Sequence, residues 1–132
     1  MGQQQLLLIV LSILIVGIAI AFGVHLFRAN AVETNRNAVI SDLFHLGFRA
    51  QSYFRRPTSY GGGNGATFSG FVVPPLLTSN DNGTFSIPVD GTAVSVTIQA
   101  VGTEIGEDQL NPIKYQLTAY SASANFTLQK DN

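Results

Sequence analysis

The sequence predicts an α+β protein: one long N-terminal helix, apolar and then amphipathic, packed on a small antiparallel β-sheet head. Three observations predict it. Residues 6–27 (LLLIVLSILIVGIAIAFGVHLF) carry no charge. No helix breaker follows until Pro57. Beyond the glycine-rich run YGGGNG at 60–65, the apolar period changes from that of a helix to the two of a strand. The organisation expected is therefore a helix over 1–56 and a β-rich head over 57–132.

Within 6–27 only Ser12 and His25 are polar. As a helix this stretch is roughly 33 Å long, close to the ~30 Å thickness of a bilayer's hydrocarbon. A cleavable secretory signal has a basic start and a shorter apolar run. Neither feature is found here, so the segment is expected to stay in the mature chain. The nearest charges, Arg28 and Arg36, follow the span. Taken alone they place its C-terminal side in the cytoplasm, and a basic leader before Met1 reverses that orientation.

From 28 to 56 the pattern turns amphipathic. Val39, Leu43, Leu46, Ala50 and Tyr53 recur at steps of four, three, four and three, one helical stripe. They are the expected helix–head packing residues. Asn35, Arg36, Asp42, Arg49 and Ser52 are expected mostly on other faces. Pro57 lacks an N–H and disfavours helical geometry in Arg56, which ends the helix.

The head begins with YGGGNG, a flexible turn or linker by composition. Strands are expected over 84–89, 93–101, 113–120 and 125–129, each alternating and rich in Val, Ile, Thr and aromatics. Asp90-Gly91 is a hairpin signal between the first two. Ser121-Ala122-Ser123 suits the last turn, and 102–112 reads as an acidic loop. About 75 residues make a marginal core alone, so the helix stripe is expected to complete it.

Charge is sparse, 11% of residues, and ordered along the chain. Arg28, Arg36, Arg49, Arg55 and Arg56 precede Pro57, whereas Asp81, Asp90, Glu104, Glu107, Asp108 and Asp131 follow it. The net charge of −1 hides this division. The bases are too few and scattered for a phosphate-tracking groove, so no nucleic-acid partner is expected. Cysteine is absent, which excludes disulfides and thiolate chemistry. No Ser–His–Asp, P-loop or dinucleotide signature is present. The expectation is a non-enzyme with no cofactor and no metal. His45, near Asp42 and Arg49, lacks further ligands, and the acids match no calcium-loop spacing. Phe44, Phe48, Phe54 and Tyr60, with Tyr53, suit packing rather than an electron path. Asn82-Gly83-Thr84 and Asn125-Phe126-Thr127 fit the glycosylation sequon.

Taken together, an apolar segment close to the N-terminus, its amphipathic continuation, a glycine-rich connection and a closing antiparallel sheet resemble type IV pilins and the pseudopilins of type II secretion. The likeness is one of architecture over most of the chain and of sequence in the first thirty residues. It implies a structural subunit that waits in the inner or cytoplasmic membrane. An assembly machinery then builds it into a homo-polymeric surface filament. It further implies that Leu6, Leu7, Ile9, Val10, Leu14, Gly17, Ala21 and Gly23 pack in the filament core. Gly17 with Ala21, and Ala19 with Gly23, have small-xxx-small spacing. Gly17 and Gly23 also suit the family's local loosening of the helix.

Family members usually carry Glu at the fifth mature position, paired with a neighbour's N-terminal amine. Counted from Met1 this position is Gln5, which offers a carbonyl acceptor and no charge. Either a leader was removed before Met1, or Met1-Gly2 is its remnant and Gln3 begins the mature chain. Gln3-Gln4-Gln5 then forms a polar ladder at the axis or caps the span at an interface. His25 either makes a polar contact between subunits or snorkels beside Arg28. The remaining alternatives are a minor pseudopilin of a secretion or DNA-uptake system and a single-pass anchored binding domain.

Overall fold

No proline stands before Pro57, and the computed structural model forms one helix over the residues that precede it, α1, Gly2–Arg55. It describes residues 2–123 and 125–131. Met1, on which the reading of the mature start turns, lies outside them. The helix is unbroken at Gly17 and Gly23. By contacts the chain divides into two units, Met1–Glu33 and Thr34–Asn132. That division falls inside α1, whereas the composition changes at Pro57, because residues 34–55 pack one face on the head.

In the second unit five strands follow the helix: β1 Ser79–Asn80, β2 Gly83–Ser86, β3 Ser95–Ile105, β4 Pro112–Tyr120 and β5 Phe126–Lys130. They pair antiparallel in sequence order, a meander. In β3 and β4 burial alternates residue by residue. Val96, Ile98 and Ala100 point inward beside Ile113, Tyr115, Leu117 and Ala119. They meet Val39, Leu43, Leu46 and Ala50, all buried on α1, while Tyr53 is half-buried. Phe68, Phe71 and Val73 from the connection complete the core. The chain is thus α+β, a long helix packed on an antiparallel sheet.

Helix and sheet come closest at Gly47. A Cβ there would lie 2.6 Å from Leu117 and 2.8 Å from Phe126. Across the same contact Phe126 receives the rings of Phe44 and Phe48 edge-on, at 5.8 and 5.2 Å.

Four details differ from expectation. The run 60–65, expected as a flexible turn or linker, is a turn that caps the helix through hydrogen bonds. Amides of Gly63, Asn64 and Gly65 donate to the carbonyls of Tyr53, Arg56 and Phe54 at the end of the helix, where intrahelical donors run out. Gly61 enters this cap with φ +74°, a left-handed turn that glycine adopts without strain. Second, β2 stops at Ser86, ahead of Pro88, and β1 adds a two-residue edge too short to show a period. Third, β3 runs to Ile105 beyond a register shift after Val101, so the acidic loop shrinks to 106–111.

Fourth, Asp90-Gly91 makes no two-residue turn. Residues 87–94 connect β2 to β3, and the Asp90 carboxylate instead accepts from the Ser69 hydroxyl and the Gly70 and Gly91 amides, at 2.9–3.1 Å. The Gly70 amide above all, then the Ser69 hydroxyl, hold its pKa below the ordinary carboxyl value. Its contribution to stability is therefore complete above that ordinary value and is lost as pH falls through the lowered one. Acid titration of the melting temperature checks this. Asp90→Asn should melt below the unaltered chain at pH 7, and the gap should close in strong acid.

Candidate functional site

Residues 2–30 are exposed without exception, although most are apolar. Leu6, Leu7, Ile9, Val10 and Leu14 each expose more than half their surface. By length and composition this part of α1 is sufficient to cross a membrane. A helix apolar all round needs lipid or other helices on every side.

Two local features suit an apolar surrounding. The Ser12 hydroxyl donates to the Leu8 carbonyl at 2.7 Å, so it brings no unsatisfied donor to the surface. A Cβ at Gly17 or Gly23 would meet nothing within 4 Å. Each glycine costs a helix about 1 kcal/mol relative to alanine. Nothing within the described residues requires that sacrifice, and Ala21 beside them is exposed as well. Gln5 is exposed in the first turn of α1, where backbone N–H groups lack intrahelical acceptors. His25 is exposed near the end of the apolar run.

The other candidates are spread over the head. His45 receives a hydrogen bond from Arg49 Nε at 3.2 Å. Asp42 accepts from the amides of Asn80 and Asn82, both at 2.9 Å. The first sequon asparagine is thereby engaged, while Asn125 of the second is exposed. The aromatics pair across the helix–head contact: Tyr53 with Phe71 at 5.5 Å and Phe54 with Phe68 at 4.6 Å, besides the two on Phe126. Tyr60 is exposed.

Sequence reasoning missed the polar half of the helix–head contact. Asn35, expected on another face, is buried one turn before Val39. Its amide donates to the Asn82 carbonyl at 2.8 Å and to the Thr103 hydroxyl at 3.1 Å, and its oxygen accepts from the Glu104 amide. Gln51, also buried, donates to the Ser123 carbonyl. The step of four from Asn35 to Val39 continues the stripe, but polarity hid it. Asn35→Leu takes a partner from the Thr103 hydroxyl and the Glu104 amide, while the Asn82 carbonyl keeps the Thr103 amide. The head should lose about 1–3 kcal/mol of stability by this change, read as a lower midpoint in urea. No protein-family profile, curated protein or solved structure matches this chain.

Proposed function

We propose that this protein is the structural subunit of an extracellular surface filament, held in a membrane by residues 6–27 before assembly and buried through them in the filament core afterwards. One observation carries the reading: an unbroken helix whose first half is apolar and exposed on every side, and whose second half already packs its apolar stripe on its own head. The first half needs external partners; the second does not. Gly17, Ala21 and Gly23 contribute nothing to the subunit's own packing and are the positions where neighbouring helices approach most closely. Exchange of lipid for helix contacts leaves apolar burial nearly unchanged. Packing and the polar first turn around Gln5 then set register. The reading assigns no enzymatic role and no cofactor.

Electron cryomicroscopy of filaments sheared from cells making the full chain tests this. Density with residues 6–27 bundled at the axis and the sheet outside is expected. Protein found only in membranes would turn the assignment to a single-pass anchored domain.

A further inference from the structure

The head carries opposite charges at its two ends. At the level of Asn35 lie Asp81, Glu104, Glu107, Asp108 and Asp131, against Arg36, Lys114 and Lys130. At the other end, about 20–30 Å along the helix, lie Arg49, Arg55 and Arg56. The acid there, Asp90, is held by Ser69, Gly70 and Gly91.

Each end also has an apolar element. The acidic loop 106–111 presents Leu110, 82% exposed, at its tip. The loop is braced from within. Asp108 accepts from the Leu110 and Asn111 amides and from the Asn111 side chain at 2.8–3.1 Å, and Gln109 takes φ +57°. At the basic end, Phe48, Gln51, Ser52, Arg55 and Arg56 line an open pocket of about 460 Å³. Phe48 is 61% exposed there, fixed edge-on against Phe126.

We infer that the Leu110 loop of one copy docks into the Phe48–Arg56 pocket of another, with Glu104 and Glu107 facing Arg55 and Arg56. The inference rests on the filament reading and names a contact between heads that the helix core does not supply. The two surfaces match in sign and each pairs an apolar centre with a charged rim. They sit at opposite ends of one head, so the contact is head-to-tail, the class of contact that can propagate from copy to copy into a filament. Its braced loop arrives already ordered, so little entropy is lost on docking.

The chain has no cysteine, which makes a crosslink unambiguous. In filaments of the full chain carrying Leu110→Cys and Ser52→Cys, a short bis-maleimide should give a ladder of covalent oligomers. Each single-cysteine chain should stop at dimers. Leu110→Asp, at an exposed position outside the core, should leave the melting of the detergent-solubilised subunit unchanged and lower filament yield about tenfold. Filaments of the double-cysteine chain without a ladder, or Leu110→Asp filaments at full yield, would overturn the docking and leave the helix-core reading standing. No filaments from the unaltered chain would overturn the filament reading, and this contact with it.

Discussion

Leu43→Asp is expected to unfold the head. Leu43 is fully buried in the middle of the helix stripe, between Val39 and Leu46. Losing it removes about 2–3 kcal/mol of apolar burial and leaves a partial cavity. The new carboxyl has no partner there, so it is either desolvated as a charge or forced to stay protonated. The sum exceeds about 4 kcal/mol, a large share of the 5–15 kcal/mol that holds a small domain together. Limited proteolysis of the detergent-solubilised chain should show cleavage throughout 57–132, with loss of the sheet's circular-dichroism signal. Leu43→Met, which keeps the volume, should cost less than about 1.5 kcal/mol. A Leu43→Asp chain that resists protease like the original would mean that the stripe does not carry the core.

Val16→Arg should separate membrane retention from assembly. Position 16 lies midway along 6–27, exposed and flanked by apolar residues. In a bilayer one arginine costs about 2.5–3.5 kcal/mol at a helix centre, and each of the many Leu, Ile and Val residues around it returns about 0.3–0.6. The variant should therefore remain in the membrane fraction. Between packed helices the same charge is unpaired and cannot snorkel, at a cost of about 3–5 kcal/mol. That is a loss of more than about a hundredfold in subunit addition, seen as no filament by negative stain. Val16→Arg filaments at ordinary yield would show that this face is not buried in assembly.

Much of the architecture was legible in the residues. The uncharged run 6–27, the stripe from Val39 to Ala50 and the proline at 57 mark a helix, its buried face and its end through local rules of period, propensity and backbone geometry. Alternation in 95–101 and 113–120 marks the central strands for the same reason. Local rules failed where a residue's partner is distant in sequence. Asn35 reads as a solvent residue until Asn82, Thr103 and Glu104 surround it. Asp90-Gly91 reads as a turn until Ser69 and Gly70 supply donors to the carboxylate. The glycines at 61–63 read as a flexible turn or linker until the carbonyls at the helix end give their segment acceptors.

By itself, then, the sequence determined the elements and which faces are apolar, because hydrophobic period and chain breakers act over a few residues. Only the tertiary structure decided which part of the helix the head packs against, how its polar groups are satisfied, and that Leu110 and the Phe48–Arg56 pocket lie at opposite ends. Those outcomes depend on strand register and on contacts between segments dozens of residues apart, for which a one-dimensional pattern carries no distance.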